Sequence, residues 1–168
     1  KTPIKIWHKE SDIANLDLIV IPGGFTFGDY LRCGALAARS PVMSSIKNHV
    51  SRGSTVLGVC NGFQILIEAK ILPGSLMRNK KLLFTCKETT LEVQNCMKNP
   101  FLSGFKIGES LKIPVAHNEG NYFAPKDLLK KLKEEGRIAL KYYKQKDSDK
   151  NYNPNGSTED IAGILSKN

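Results

Sequence analysis

The chain of 168 residues has the length of a single domain with a substantial core. Its formal net charge of +9 comes from lysines spread along the sequence, without the basic and aromatic motif of an RNA-binding module. We therefore predict a solvated basic surface and no nucleic-acid partner. No apolar run is long enough to span a bilayer, which predicts no membrane partner.

The first predicted elements alternate between strands and helices. Strands are predicted over 3–7 and 16–21, and the second is a near-continuous apolar run typical of a strand buried on both faces. A helix is predicted from Pro41, and a strand and a helix together over 55–69. This alternation predicts an α/β fold with an open, mostly parallel sheet and helices on both faces.

The second half of the sequence has a different pattern. Short strands rich in β-branched or aromatic residues, separated by polar turns, are predicted over 81–87, 89–94, 110–116, 137–143 and 161–165. One helix is predicted over 127–135, with its leucines on one side. We expect these strands to be antiparallel additions to a mixed sheet, within a single domain that spans 1–168.

The most informative stretch is a glycine-flanked cysteine between a strand and a helix. Cys60 has Gly58 two residues before it and Gly62 two residues after it. This pattern predicts a nucleophile elbow, in which the central residue has a positive φ and its neighbours must be very small. At the start of a helix the thiolate form is favoured. A lone cysteine is more often buried and inert, but the glycines, strand and helix together favour a catalytic role.

A cysteine nucleophile needs an oxyanion hole and a base. The N–H of Asn61 and one from the loop 22–24 are candidate donors, since both follow strands of the predicted parallel sheet. Among the histidines, His8 follows the first strand, and we expect His49 to be exposed on its helix. His117 with Glu119 fits a base and its carboxylate, but a histidine at a strand end is more often a polar loop residue.

The cysteines do not indicate a metal site. Cys33, Cys60, Cys86 and Cys96 form no Cys-x-x-Cys pair, and no histidine stands at metal-ligand spacing. With no leader sequence visible, we expect reduced thiols and a cytoplasmic protein.

Several segments together resemble the glutamine amidotransferase subunits of phosphoribosylformylglycinamidine synthases, which are class I, triad-type enzymes of purine biosynthesis. The segments that carry the resemblance are 21–32, 55–64, 116–122 and 153–157. The resemblance covers essentially the whole chain, and it implies a flavodoxin-like architecture of the class I glutamine amidotransferase type.

The resemblance also implies a mechanism. Cys60 would attack the side-chain amide of glutamine, giving a γ-glutamyl thioester and ammonia. Gly24 and Asn61 would supply the oxyanion N–H groups, and Gly23 and Gln64 would help to bind glutamine. Ammonia would pass to a separate synthetase subunit that uses ATP and Mg, in a complex with a small bridging subunit. This subunit itself would bind no cofactor.

Two departures from the family affect the expected activity. Family members begin with a further strand and helix, and they end with a His-Pro-Glu motif that supplies the base and its orienting glutamate. Neither feature occurs in this sequence. We therefore expect a fragment of such a subunit, with negligible glutaminase activity alone. His117 would then line the site or an interface. The segment 29–32 would line the mouth of the site or a partner interface, or it would have a structural role as a loop.

Three other functions remain open. The chain could be a different cysteine hydrolase of the same fold that uses His117 and Glu119, or a scaffold subunit that has lost catalysis. Nucleic-acid binding through the positive charge would show a steep salt dependence.

Overall fold

The computed structural model describes residues 2–95, 99–143 and 152–167. It confirms the α/β class, with three α-helices and eight strands in these ranges. The chain packs into two compact units, the first ending at Leu72 and the second running from Pro73 to Lys167. None of the helices in these ranges has the length and apolarity needed to cross a membrane.

The first unit contains a parallel pair of strands and two helices. Its main elements are β1 (Leu18–Ile21), α1 (Val42–Ser51), β2 (Thr55–Gly58) and α2 (Asn61–Glu68). β1 and β2 are parallel, with Leu18 opposite Thr55 and Ile21 opposite Gly58. Because parallel strands end at the same edge, the loop after β1 and the turn after β2 are neighbours.

The core of the first unit lies between the strand pair and the helices. Ile19 of β1, Met43 and Ile46 of α1, and Ile65 of α2 are buried together. In α1 the buried residues recur at helical spacing, so one face of the helix is covered. His49 follows Ile46 by three positions and belongs to that face.

Three predictions for the first unit are wrong. The strand predicted to be buried on both faces has one exposed face, with Leu18 45 % and Val20 51 % exposed. The strand predicted over 3–7 is not formed. His49, predicted to be exposed, is 3 % exposed, and its Nε2 lies 3.0 Å from the carbonyl oxygen of Ala14. The carbonyl oxygen pairs Nε2, while Nδ1 of the ring is buried without a hydrogen-bond partner.

The second unit is built on antiparallel strands. Its elements are β3 (Ser75–Met77), β4 (Thr85–Val93), β5 (Ser110–His117), β6 (Asn121–Phe123), α3 (Lys126–Glu134), β7 (Ile138–Tyr142) and β8 (Ile161–Ile164). Four strands form a sheet in the order β5-β4-β7-β8, and β3 pairs with β6. All of these pairings are antiparallel.

The second unit confirms most of the elements predicted for it. The predicted helix is displaced by one residue, and Leu129 and Leu132 are its buried side chains. Instead of two strands over 81–87 and 89–94, the structure has a single continuous strand, β4, which begins later, at Thr85. No glycine or proline interrupts the sequence between the two predicted strands, so nothing ends the strand at the predicted gap.

The mostly parallel sheet predicted from the sequence is not confirmed. Among the described residues, β1 and β2 are the one parallel pair, and the other four strand pairings are antiparallel. The strand–helix alternation that suggests a parallel sheet occurs before Leu72 and supplies a single crossover there.

Candidate active site

Cys60 occupies a strained turn between β2 and α2. Its φ is 51° and its ψ is −108°, and it is the N-cap residue of α2. A side chain in this region costs about 1–3 kcal/mol and persists where its surroundings determine the conformation. Cys60 is exposed, whereas Cys33 is buried. The predicted elbow geometry is therefore confirmed.

The two glycines that flank Cys60 are required by close packing. A Cβ built on Gly58 would lie 2.7 Å from the carbonyl oxygen of Gly62. A Cβ on Gly62 would overlap the carbonyl oxygen of Ile21. The turn therefore brings its two ends together and sets the start of α2 against the end of β1.

The glycine loop after β1 lies beside the cysteine. A Cβ built on Gly23 would be 3.3 Å from the Cβ of Cys60 and 4.0 Å from its Sγ. Gly24 follows with a φ of 148° and open space around its Cα. The N–H of Val59 donates to the carbonyl oxygen of Ile21 at 3.0 Å, which joins the loop to the turn.

This arrangement fits the predicted oxyanion hole. Asn61 is the first residue of α2, and backbone N–H groups in the first turn have no acceptor within the helix. The structure brings Cys60, Asn61, Gly23 and Gly24 together at one edge of the strand pair. Acyl transfer uses backbone N–H donors beside the nucleophile, and the oxyanion roles of Gly24 and Asn61 stay predictions.

The side chain of Asn61 forms a buried network that sequence reasoning missed. Asn61 is fully buried, and its Oδ1 accepts hydrogen bonds from Thr26 Oγ1 at 2.8 Å and from Thr26 N at 3.3 Å. Its Nδ2 donates to Gln64 Oε1 at 2.8 Å. The sequence does show a hydroxyl-bearing residue two positions after Gly24. Its spacing from Asn61 does not predict that the two side chains form a hydrogen bond.

Gln64 is placed inside the protein rather than at the surface of the site. It is 6 % exposed, and its side-chain oxygen bonds to Asn61. Its contact with glutamine stays a prediction. What the structure shows is a contact with the residue that follows the nucleophile.

The loop continues along α2 after passing the cysteine. A Cβ on Gly34 would be 2.8 Å from the backbone nitrogen of Ile65, so this part of the loop packs on the helix backbone. Arg32 pairs with Glu68, with Nη2 2.7 Å from Oε2. Tyr30 is 89 % exposed and Leu31 is 65 % exposed. The segment 29–32 thus attaches to α2 through Arg32 and presents an apolar surface through its middle residues.

His117 lies at the end of β5 in the second unit. Its Nε2 is 3.4 Å from Asn155 Nδ2, its Nδ1 is buried without a hydrogen bond, and its ring packs against Gly120. Burial lowers the pKa of His117 below its ordinary 6.5, and a backbone hydrogen bond opposes this by less. Nδ1 has no acceptor in the structure, so Glu119 does not orient the ring through that nitrogen.

The remaining candidate residues do not form a metal site. His8 lies 3.2 Å from Ser40 Oγ through Nδ1 and contacts the ring of Phe27. Within the described part of the chain, no three residues among histidine, cysteine, aspartate and glutamate are grouped to hold a metal ion. Cys86 is exposed in the second unit, and Cys96 lies outside the described residues.

Comparison with known proteins gives consistent matches. Residues 4–168 match the family model of the CobB/CobQ-like glutamine amidotransferase domain. The chain is 51 % identical over 165 residues to phosphoribosylformylglycinamidine synthase subunit PurQ of Rhizobium meliloti, covering 98 % of this chain and 71 % of that protein. The same subunit of Bartonella henselae is 50 % identical over 165 residues, with the same coverage.

A solved structure has the same fold over most of the chain. The structure of PurLQS from Thermotoga maritima contains a chain that matches with a TM-score of 0.78 and 40 % identity. The match covers 92 % of this chain and 65 % of that one. This chain thus spans a little under two thirds of the solved relative's length.

Proposed function

This chain belongs to the CobB/CobQ-like glutamine amidotransferase family, and we propose that it is the glutaminase component of a phosphoribosylformylglycinamidine synthase, with Cys60 as its nucleophile. The observation that carries the assignment of Cys60 is its φ of 51° and ψ of −108° in a turn closed by Gly58 and Gly62. That turn presents the thiol beside the backbone of Gly23 and Gly24.

The reaction begins with attack of the Cys60 sulfur on the carbonyl carbon of the glutamine side-chain amide. A C–S bond forms, and the carbonyl oxygen takes up negative charge near the N–H groups of Gly24 and Asn61. When the C–N bond breaks, the nitrogen takes the proton that the thiol gives up and leaves as ammonia. Water then cleaves the γ-glutamyl thioester to give glutamate and the free thiol. The sequence contains no His-Pro-Glu motif, so no residue of this chain is assigned as the base.

The residues proposed to bind glutamine are assigned from their positions relative to Cys60. Gly23 contacts Cys60 and is the proposed backbone contact to glutamine. Gln64 acts on the same site through Asn61, to which it is bonded. The role of His117 as a substrate contact is supported by the family resemblance alone.

The ammonia passes to a separate synthetase subunit. The name of the Rhizobium meliloti relative describes it as a subunit of a synthase, which supports a complex of this chain with a synthetase subunit. The small bridging subunit is proposed from the family resemblance alone. Exposed Tyr30 and Leu31, two and three residues after Gly28 in the loop beside Cys60, give an apolar surface for such a partner. In this proposal the chain binds no cofactor, the synthetase uses ATP and Mg, and the complex is cytoplasmic.

The architecture supports the same assignment. The likeness to the Thermotoga maritima structure supports a class I glutamine amidotransferase fold. In the proposed flavodoxin-like arrangement, β1 and β2 belong to an open, mostly parallel sheet with helices on its faces. The parallel register of these two strands supports this placement.

Labelling with the chloroketone analogue of glutamine tests the proposal. We expect covalent modification of Cys60, located by peptide mass spectrometry, and protection by added glutamine. Cys60→Ala should abolish the modification, while Cys86→Ala, which removes another exposed thiol, should leave it unchanged. Equal labelling of Cys86, or no protection by glutamine, would contradict the proposal.

A further inference from the structure

The loop that contains Gly24 and the turn that contains Cys60 are joined by the side chain of Thr26. The proposed reaction does not itself use this side chain. We infer that Thr26 is a positioning residue for the oxyanion hole, holding the Gly24 segment in place through the side chain of Asn61. The inference rests on the proposed function, since it concerns the geometry of the same hole.

The link connects the two backbone segments that carry the proposed donors. Thr26 lies two residues after Gly24, and Asn61 immediately follows Cys60. Thr26 bonds to Asn61 Oδ1 twice, from its hydroxyl at 2.8 Å and from its backbone N–H at 3.3 Å. Loss of the hydroxyl would leave only the longer backbone bond of 3.3 Å between the Gly24 and Asn61 segments.

The orientation of the Asn61 amide makes the Thr26 hydroxyl a specific donor. Asn61 Nδ2 donates to Gln64 Oε1, so its Oδ1 points to Thr26. The opposite orientation would place the backbone N–H of Thr26, which can only donate, against the Nδ2 donor of Asn61. Because Asn61 is fully buried, water is not available to replace a lost donor. Serine at position 26 would supply the same donor, whereas valine would not.

The loop needs such an attachment because its backbone is strained. Beyond Gly24 it contains three consecutive residues with positive φ, namely Phe27 at 55°, Gly28 at 68° and Asp29 at 54°. Strained backbone persists only where surrounding contacts determine it. The pair of Arg32 and Glu68 attaches the far end of the loop, but the Arg32 side chain is 67 % exposed, and such pairs contribute little.

The nucleophile turn has separate supports. Gly58, Gly62 and the carbonyl group of Ile21 fix its shape by close packing, and Thr26 is not among these contacts. Loss of the Thr26 hydroxyl should therefore loosen the Gly24 donor and leave the thiol where it is. This separates a positioning role from a general structural one.

The test compares two reagents on the full 168-residue chain. The chloroketone analogue of glutamine places a ketone oxygen in the hole, whereas iodoacetamide reports the reactivity of the thiol alone. We expect Thr26→Val to slow chloroketone labelling of Cys60 by about tenfold to a hundredfold, somewhat less than removal of an oxyanion donor. Iodoacetamide labelling should change by less than about twofold, since the thiolate is unaffected.

Two control variants complete the comparison. Thr26→Ser keeps the hydroxyl and should label at nearly the rate of the unmodified chain with both reagents. Thr55→Val makes the same chemical change in β2 and should also have little effect. If Thr26→Val loses its fold, shown by iodoacetamide reaction of buried Cys33, Thr26→Ala removes the hydroxyl without valine's second methyl group and is interpreted in the same way.

The possible outcomes separate the inference from the proposed function. Glutamine-protected labelling of the unmodified chain, with an unchanged chloroketone rate in the valine variant, would overturn the inference alone. An equal fall with both reagents, or a slow serine variant, would also overturn it. Labelling of the unmodified chain that glutamine does not prevent would overturn the proposed function instead.

Discussion

Gly62, at the start of α2, packs directly against the carbonyl group of Ile21, at the end of β1, with no space for a side chain between them. The same carbonyl oxygen accepts the hydrogen bond from Val59 N–H. The end of one strand and the turn after its parallel neighbour thus form a single close-packed joint. The position of the nucleophile depends on this joint as much as on its own backbone angles.

The joint predicts the effect of a methyl group at Gly62. In Gly62→Ala the new Cβ overlaps a backbone carbonyl, which cannot move without breaking its bond to Val59. We expect the free energy of unfolding to fall by at least about 2 kcal/mol, with loss of glutamine-analogue labelling. Urea unfolding measures the first effect. Gly104→Ala is the control because an added Cβ there meets no atom within 4 Å; equal stability of the two variants would refute the argument.

The strained backbone at Cys60 predicts which of two variants at this position is the more stable. Cys60→Gly removes the cost of a side chain at φ 51° and ψ −108°, whereas Cys60→Ala retains it. After allowing for the greater freedom of glycine in the unfolded chain, we expect the glycine variant to be more stable than the alanine variant by about 1 kcal/mol. Thermal unfolding of the two variants checks the order. A more stable alanine variant would mean that the turn is not strained.

Gly74 in the second unit, compared with Gly108, allows the cost of a steric contact to be measured apart from the cost of backbone strain. Its φ is 96°, and an added Cβ would lie 2.6 Å from Cζ of Tyr122, which is 1 % exposed and donates its hydroxyl to the Pro73 carbonyl oxygen at 3.0 Å. Gly108 has a similar φ of 83° and open space. We expect Gly74→Ala to lower the free energy of unfolding by about 1–3 kcal/mol more than Gly108→Ala, in urea unfolding.

The burial of Tyr122 also predicts an unusual tyrosine titration. Burial raises the pKa of Tyr122 to about 12, and the charge of Arg137 opposes this by less. In a spectrophotometric titration of phenolate absorbance, one tyrosine should therefore ionise about two pH units above the ordinary value of 10. Tyr122→Phe should remove this late component and leave the rest of the curve. A titration complete by about pH 11 would contradict the assignment.

His117 predicts a pH dependence of stability. Its folded-state pKa lies below the unfolded value of 6.5 because burial disfavours the imidazolium. Between these two values the unfolded chain binds more protons than the folded one, so the free energy of unfolding falls as pH falls through 6.5. Above 6.5 the stabilising effect of the neutral ring is fully present.

The measurement for His117 is a difference between two proteins. The unmodified chain and His117→Gln are unfolded in urea at about pH 7.5 and at about pH 5.5, on either side of the ordinary histidine pKa. The unmodified chain should lose more stability between the two conditions, because the glutamine variant has no imidazole to protonate. The same loss in both would show that other groups are responsible.

The features that could be predicted from the sequence are those set by local chemistry. The elbow was predictable because the positions of Gly58 and Gly62 are needed by the turn itself, whatever surrounds it. The helix α3 was predictable because Leu129 and Leu132 recur at helical spacing and Gly136 follows the end. In each case the evidence lies within about ten residues.

The features that could not be predicted depend on distant contacts. The burial of His49 requires the carbonyl oxygen of Ala14, 35 residues away. The bond between Thr26 and Asn61 also spans 35 residues. The strand pairing could not be predicted for a related reason. Periodicity identifies strands such as β4 but does not show which strands pair or in which direction they run.

The buried amide of Asn61 also bears on how this protein ages chemically. Asn-Gly sequences deamidate readily because the glycine nitrogen can attack the side-chain carbonyl carbon and close a cyclic imide. Here the N–H of Gly62 donates to Val59, and the amide is held at its oxygen by Thr26 and at its nitrogen by Gln64. These hydrogen bonds oppose the movement of the amide and of the Gly62 nitrogen that ring closure needs. The chemical lifetime of the turn beside the nucleophile is therefore governed by how often the first unit unfolds.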